Sequence, residues 1–161
     1  MPVEMKIKGL MIDPVSNMPI IILRKPDGDG VLPIWVGIFE ANAIAMQIEK
    51  IQSPRPMTHD LVCSVISDLG ASVEKIVITD LKDNTFFAAI HLVRDAHHFV
   101  IDARPSDAMA IALRVNAPIL VEESVLERSA MSGDDRGLDE TERLRRWLEH
   151  VDPEELGKYE M

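Results

Sequence analysis

Glu40-Ala-Asn-Ala-Ile-Ala-Met-Gln47 and Asp107-Ala-Met-Ala-Ile-Ala-Leu-Arg114 decide the fold, because the second stretch repeats the first at an offset of 67 residues. The same offset, without a gap, places Ile101 on Ile34, Asn84 on Asn17 and Asp80 on Asp13. A solenoid would need at least three copies of its repeat, so two copies of this length predict something else. We expect a pseudo-symmetric domain whose two halves pack against each other, with any chemistry where the copies differ.

Both copies show the same order of predicted elements, three strands and then a helix. In the first copy the predicted strands are residues 6–13, 19–24 and 31–36, and the predicted helix is 38–51. In the second copy the predicted strands are 73–81, 85–93 and 98–103, and the predicted helix is 106–115. The short links between successive strands, such as Lys25-Pro-Asp-Gly-Asp-Gly30, favour an antiparallel meander. The fold class is therefore α+β: duplicated β-β-β-α units with a mainly antiparallel sheet, an intervening helix at 58–69 and a C-terminal helix.

The chain divides into one folded body and a short acidic end. We predict a domain over residues 1–130, with the internal repeat at 5–51 and 72–118. After the second copy of the repeat, a strand at 117–121 and a helix starting at 122–128 lead into a loop at 129–137, which is rich in Ser, Gly and Asp. Residues 131–161 are predicted to form this acidic loop and an amphipathic helix, since Leu144, Trp147, Leu148 and Val151 lie near helical spacing.

Composition indicates a globular protein of the cytoplasm. The 161 residues are 47% hydrophobic, which supports one sizeable core and excludes disorder for most of the chain. The apolar stretches are too short or too interrupted to span a bilayer, and the N-terminus lacks the regions of a signal peptide. The single cysteine, Cys63, can form no internal disulfide. We expect a cytoplasmic location and no membrane partner.

The net charge of −10 is unevenly distributed. Residues 1–120 carry 11 Lys/Arg and 14 Asp/Glu, whereas residues 121–161 carry 6 and 13, so most of the acidity belongs to the C-terminal segment. No run of basic residues marks a surface for phosphate neutralisation, which counts against tight DNA or RNA binding. A metal-dependent phosphodiesterase stays possible, because such a site needs carboxylates.

The first group of candidate site residues lies in Asp102-Ala-Arg-Pro-Ser-Asp107, which introduces the second helix. Ser106 is a candidate helix cap, and a carboxylate such as Asp107 is stabilised by the dipole in a first helical turn. Glu40 holds the equivalent place in the first copy, so the two carboxylates would approach each other near a pseudo-twofold axis. Neighbouring acids raise one another's pKa or share a divalent cation. Arg104 and Asp102 alternate along a strand end and need not face one pocket.

The second group lies in Arg55-Pro-Met-Thr-His-Asp60, where the intervening helix begins. His59 offers an imidazole that can act as a base or a metal ligand, with the Asp60 carboxylate beside it. The alternative is structural: Thr58 caps the helix, Asp60 complements the dipole and His59 is exposed. The sequence contains no P-loop, Gly-rich dinucleotide fingerprint, CxxC pair or HExxH, so nucleotide-cofactor and zinc-protease functions lack support.

Three ordered motifs together resemble the bifunctional nuclease (BFN) domain family, formerly a domain of unknown function with many bacterial members. They are Leu32-Pro-Ile-Trp-Val-Gly37 with Glu40-Ala, Arg55-Pro-Met-Thr-His-Asp-Leu61, and Asp102-Ala-Arg-Pro-Ser-Asp-Ala-Met-Ala-Ile-Ala-Leu-Arg114. The resemblance covers about residues 3–130. The family name implies that some members degrade both DNA and RNA.

This resemblance implies a divalent-metal-dependent nuclease (a hydrolase of phosphodiester bonds) acting on DNA, RNA or both. In that interpretation, carboxylates hold Mg²⁺ or Mn²⁺, a histidine activates water, and basic and hydroxyl groups contact the substrate. The expected metal ligands are Glu40, Asp60 and Asp107. The expected catalytic groups are His59, Asp60 and Asp107. The expected substrate-binding groups are Arg55, Arg104 and Ser106.

The alternative function is a non-catalytic, oligomeric regulatory domain whose acidic cleft binds a small ligand or a partner protein. The balanced charge of the body and the missing basic patch favour this alternative. In either case, sheet edges and an amphipathic helix have to be covered, and symmetric pairing is the common solution. We therefore predict a homo-oligomer, most simply a dimer.

Overall fold

The computed structural model describes residues 1–28 and 30–134, and the side chains of these residues up to 130. In this part of the chain the elements run in the order β1 (Pro2–Ile12), β2 (Pro19–Arg24), β3 (Val31–Trp35), α1 (Ile38–Ile48), α2 (Thr58–Asp68), β4 (Ser72–Lys82), β5 (Thr85–Arg94), β6 (His97–Ala103), α3 (Pro105–Val115), β7 (Ile119–Glu122) and α4 (Glu123–Asp134). The predicted α+β class, with two β-β-β-α units and an intervening helix, is confirmed.

One seven-stranded sheet organises the described residues, with strand order β3-β2-β1-β7-β4-β5-β6. Each β-β-β unit is an antiparallel meander, as the short connections predict. The late strand β7 joins the two meanders, because it pairs antiparallel with β1 and parallel with β4. The third strand of each unit, β3 or β6, therefore forms an outer edge of the sheet, and the helix that follows it returns from that edge.

The 67-residue offset holds for the helices more closely than for the strands. Helices α1 and α3 begin and end 67 residues apart, and Glu40 and Asp107 are each the third residue of their helix. The expected equivalence of Asp13 and Asp80 is wrong, because Asp13 lies in the turn after β1 whereas Asp80 lies inside β4. The second copy connects β4 to β5 through two residues in left-handed conformation, which keeps its strands paired for longer.

The core lies between the sheet and the helices. Helices α1 and α3 pack on each other, α2 packs on α3, and α3 also contacts β4 and β5. Alternate strand residues such as Ile21, Ile76 and Ile78 are fully buried, and each large apolar side chain contributes about 1.5–3 kcal/mol by leaving water. The apolar side of α3, including Met109 and Ile111, closes this core. The packing therefore brings the first turns of α1 and α3 together.

The C-terminal part corrects one prediction. The loop expected at 129–137, and at 131–161 in the domain division, is helical as far as Asp134 because α4 continues. Ser and Gly weaken a helix by less than about 1 kcal/mol each, and buried Val125 anchors α4 in the core. The predicted amphipathic helix near Leu144–Val151 lies outside the described residues. Within the described part, no helix is long and apolar enough to cross a membrane.

Candidate functional site

The candidate site lies where α1, α2 and α3 begin. Gly37 and Arg104 are the N-cap residues of α1 and α3, both with extended backbone. Pro105 occupies the first position of α3, where a missing N–H costs nothing. The expected cap at Ser106 is therefore wrong, since this proline moves the cap two residues earlier. Arg104 consequently lies at the start of α3 and not within a strand. From this position its side chain can reach the first turns of both α1 and α3.

Arg104 joins the two predicted carboxylates. Its Nη2 atom donates to Glu40 Oε1 at 2.6 Å, and its Nε donates to Asp107 Oδ2 at 2.8 Å. Nη2 also lies 2.8 Å from Asp107 Oδ2. Both N–H groups of Nη1 have no hydrogen-bond partner among the residues that the structure describes, and the Arg104 side chain is 66% exposed. Arg104 thus links the first turns of α1 and α3 and still presents donors to solvent.

His59 approaches the same carboxylate from α2. Its Nε2 lies 2.8 Å from Asp107 Oδ1, and the residue is only 9% exposed, so the alternative of a solvent-exposed histidine is wrong. A carboxylate can only accept, so neutral His59 carries its proton on Nε2. Nδ1 makes no hydrogen bond to the residues described in the structure and is the basic nitrogen of this tautomer. The carboxylate orients the imidazole and would stabilise its protonated form, as in other Asp–His pairs.

Asp107 is held as a carboxylate. Burial raises its pKa, but hydrogen bonds from His59 and Arg104 and the charge of Arg104 outweigh this effect, and the pKa lies below the ordinary value of 3.8. Asp107 therefore stays ionised at neutral pH. By formal charge, with histidine counted as neutral, the cluster of Glu40, His59, Arg104 and Asp107 has a net charge of −1.

A second ion pair, which the sequence did not indicate, fixes the start of α2. Arg114 is 7% exposed, and its Nε donates to Asp60 Oδ1 at 2.7 Å. Its Nη1 and Nη2 donate to the carbonyl oxygens of Ala110 and Ala43, at 2.9 and 3.3 Å. One guanidinium thus connects α1, α2 and α3. Its partners are 54 residues away in α2 and 71 residues away in α1, so local spacing carries no signal for it.

Asp60 is the third residue of α2, and both of its carboxylate oxygens are engaged. Oδ2 accepts from the backbone N–H of Met57, the N-cap residue, at 2.9 Å, so the expected cap at Thr58 is wrong. This bond and Arg114 lower the pKa of Asp60, the Met57 bond having the larger effect. Asp60 is therefore engaged by Met57 and Arg114, and it holds the turn that carries His59.

The remaining predicted residues lie around the cluster without joining it. Arg55 and Thr58 are exposed in and after the connector to α2, and Ser106 is 6% exposed in the first turn of α3. Asp102 is exposed on β6 and pairs with Ala89. Of the residues predicted from sequence, the structure brings together Glu40, His59, Arg104 and Asp107.

The predicted cation ligands do not form a cation site as they stand. In residues 1–28 and 30–134, no three His, Cys, Asp or Glu side chains converge on one point. Glu40 and Asp107 are bridged by a guanidinium, and Asp60 is bound to Arg114. The carboxylates that Mg²⁺ or Mn²⁺ prefers are present, but each of the three already accepts at least one hydrogen bond within the chain.

A cleft of about 440 Å³ lies beside the cluster, between the end of α1, the connector and α2. Asp60 and Arg114 form part of its wall, together with Gln47, Cys63 and Ser64. Burial raises the pKa of the Cys63 thiol, so this cysteine is a poor nucleophile at neutral pH. His59 and Asp107 are not in the lining, so the cleft and the cluster are neighbours separated by the first turn of α2.

The chain is similar in sequence to several known proteins. The model of the bifunctional nuclease domain matches residues 21–134. An uncharacterized protein of Mycobacterium tuberculosis is 38% identical over 162 residues, which covers 95% of this chain and 97% of that protein. Bifunctional nuclease 1 of Arabidopsis thaliana is 33% identical over 107 residues, covering 64% of this chain and 33% of that protein. Bifunctional nuclease 2 of Oryza sativa subsp. japonica is 30% identical over 122 residues, covering 73% and 38%.

Proposed function

The chain belongs to the bifunctional nuclease domain family, and we propose that it cleaves phosphodiester bonds of DNA or RNA with His59 as general base. The observation that carries this proposal is the 2.8 Å contact of His59 Nε2 with Asp107 Oδ1 in a largely buried setting. A general base needs an oriented imidazole with an accessible lone pair, and Asp107 supplies the orientation. The plant relatives named bifunctional nucleases support the reaction class, although this chain spans only about a third of their length.

In the proposed reaction, His59 Nδ1 takes a proton from the attacking water as the water oxygen bonds to phosphorus. Asp107 stabilises the imidazolium that results. The Nη1 donors of Arg104 contact a non-bridging phosphate oxygen, where negative charge increases in the transition state. The alkoxide leaves from the opposite side of the phosphorus and takes a proton from solvent, and His59 afterwards returns its own proton to solvent. Glu40 keeps Arg104 in place through Nη2.

Metal dependence is a separate part of the proposal, and no step above depends on a cation. The reason to test it is electrostatic: a cluster of net charge −1 repels a phosphodiester, and a divalent cation would offset that repulsion. Cleavage that requires Mg²⁺ or Mn²⁺ and stops in EDTA would support this part. Cleavage unaffected by EDTA would leave His59 and Arg104 as the groups responsible.

The experiment compares the full chain with the His59→Gln variant on single- and double-stranded DNA and RNA. Loss of a general base lowers the rate by about 10²–10⁴-fold. His91→Gln is the matched control, since His91 lies on β5 outside the cluster and should keep the wild-type rate. Equal rates for His59→Gln and wild type would refute the role of His59. Activity that separates from the protein during purification would refute the function itself.

The Asp107→Asn variant tests the orientation of the imidazole. The amide nitrogen cannot accept from His59 or Arg104, so one of the two bonds is lost or the other tautomer is favoured. We expect a rate loss of about 10²–10⁴-fold, comparable to the loss in other enzymes whose orienting aspartate is changed to asparagine. An unchanged rate and pH profile would remove Asp107 from the mechanism.

A second candidate function is ligand binding by the cleft of about 440 Å³, a volume within the usual range for small-molecule sites. If this is the function, purified protein leaves DNA and RNA intact. A thermal-shift survey of small polar ligands would then raise the melting temperature of wild type but not of Gln47→Trp, whose side chain fills the cleft. Nuclease activity lost in His59→Gln but kept in Gln47→Trp would favour the first function.

A further inference from the structure

Among the residues that the structure describes, strand β6 is an open edge of the sheet with apolar side chains on both faces. Phe99 and Ile101, 41% and 47% exposed, lie on one face, and Val100, 65% exposed, lies on the other. Every residue from His97 to Asp102 is exposed, although all of them pair with β5. An edge strand of this length presents unpaired backbone N–H and C=O groups, and proteins usually protect such edges with charges, proline or a covering element.

The opposite edge of the sheet is protected in this way. Strand β3 contains Pro33, which has no N–H to donate, and its neighbours Leu32 and Ile34 are buried, at 1% and 2% exposed. The two edge strands hold the same place in their β-β-β-α units, yet only β6 keeps both its backbone donors and its exposed apolar side chains. The open edge is therefore specific to β6 in the second β-β-β-α unit, and the first unit does not share it.

The sequence of β6 is complementary to itself when the strand is reversed. If two copies pair antiparallel about Val100, Val100 lies opposite Val100, Phe99 opposite Ile101, and His98 opposite Asp102. Antiparallel partners share a face, so the apolar residues meet across the strands and each imidazole meets a carboxylate. Shifting the register by two residues in one direction would place His98 opposite Val100 and Asp102 opposite Ala96. Shifting it in the other direction would place Asp102 opposite Val100 and His98 opposite Arg104, so neither shifted register pairs an imidazole with a carboxylate.

We propose that a second copy of this chain pairs antiparallel with β6 about a twofold axis at Val100, extending the two sheets into one. Each dimer then contains two His98–Asp102 pairs beside a central Val100–Val100 contact. Within one chain, His98 also lies 3.7 Å from Glu74, so the imidazole stands between two carboxylates. Arg94 lies 5.6 Å from the centre of the Phe99 ring and closes the end of the apolar face. This interface does not depend on the nuclease proposal.

A substitution at Val100 tests the proposed dimer most directly. Because Val100 lies on the twofold axis, any new side chain there faces an identical side chain of the second copy. Val100→Lys puts like charges in direct opposition and should raise the dimer dissociation constant at least about tenfold. Val100→Thr is the matched control, since threonine keeps the β-branched shape and should preserve the dimer. Masses are measured by light scattering and sedimentation on the full chain, with circular dichroism as the check on folding. A monomeric wild type at about 100 μM, or a dimeric Val100→Lys, overturns the proposal.

A cross-linking experiment tests the register even if Val100→Lys fails to fold. In a Cys63→Ser background, Val100→Cys should give a covalent dimer on mild oxidation, because directly opposed residues have Cα atoms about 4.5–5.5 Å apart. His98→Cys should not, since the two copies of residue 98 would lie about 13 Å apart along the strands. No covalent dimer with Val100→Cys, or efficient cross-linking with His98→Cys, overturns the proposed pairing.

Discussion

Replacing Arg114 by methionine should separate the contribution of its guanidinium group to stability from that of its alkyl chain. Methionine fills much of the same volume but cannot donate to Asp60, Ala110 or Ala43. The bond to Asp60 is charge-assisted and would be worth about 1.5–3 kcal/mol if fully buried. The Asp60 side chain is 38% exposed, so solvent screening favours the lower limit. The two bonds to backbone carbonyl oxygens add about 1 kcal/mol each.

We therefore expect Arg114→Met to lower the free energy of unfolding by about 3.5 kcal/mol. For a chain of this size, 1 kcal/mol shifts the melting temperature by about 2–4 °C, which predicts a drop of about 7–14 °C. Arg128→Met is the matched control, because Arg128 pairs with Asp80 at the surface and its loss should lower the melting temperature much less than the loss of Arg114.

The assay is thermal and urea unfolding of both variants, with Asp60→Ala and the double variant completing a cycle. We expect a coupling free energy of about 1–2 kcal/mol between Asp60 and Arg114. If Arg114→Met melts within about 2 °C of wild type and no lower than Arg128→Met, the three-helix connection does not contribute to stability and the reasoning is wrong.

Three further predictions follow from the same contacts. The pKa values of Asp60 and Asp107 lie below 3.8 in the folded chain, so the stability that these two carboxylates contribute is complete above that pH and is lost as the pH falls through their folded pKa values. The free energy of unfolding should therefore fall more steeply below about pH 4, and less so in Asp107→Asn. Parallel curves of stability against pH for the variant and wild type would contradict this. Gly37→Ala places a methyl group against Glu40 Oε2, so the Glu40 carboxylate must shift and its bond to Arg104 is disturbed; we expect a higher nuclease KM, and unchanged kinetics would argue against the Glu40–Arg104 contact. Cys63, with its pKa raised by burial, should react with a disulfide reagent at pH 8 at least about tenfold more slowly than in guanidinium chloride, and equal rates would contradict its burial.

Much of the fold is predictable from the sequence because its patterns are local. The apolar run at 19–24 gives the bounds of β2, and the repeated Ala-rich stretch places the start of α1 at the right residue and the start of α3 one residue late. The place of β7 between the two meanders is not predictable in this way. A four-residue strand carries too little periodicity to indicate its partners, and its parallel pairing with β4 depends on residues more than 40 positions away.

The site was predictable where the repeat indicated it and unpredictable where distant contacts decide it. Glu40 and Asp107 follow from matched helix starts. The capping errors have local causes: Pro105 in the first position of α3 excludes Ser106 as the cap, and Asp60 in the third position of α2 already satisfies the backbone N–H of Met57. Arg114 could not be found, since its three acceptors come from three helices and only the folded chain brings them together.

Gly37 and Arg104 hold the same position in the two halves, and their difference has a consequence for how such a domain can arise. The glycine leaves the space in which the Glu40 carboxylate lies, while the arginine supplies the one cation that both carboxylates share. A dimer of identical half-length chains would carry the same residue at both caps, with either two guanidinium groups or none between the acids. Joining the halves in one polypeptide allows each cap to mutate independently, so the single guanidinium that the structure describes between the two carboxylates requires two halves of different sequence, which one fused chain provides.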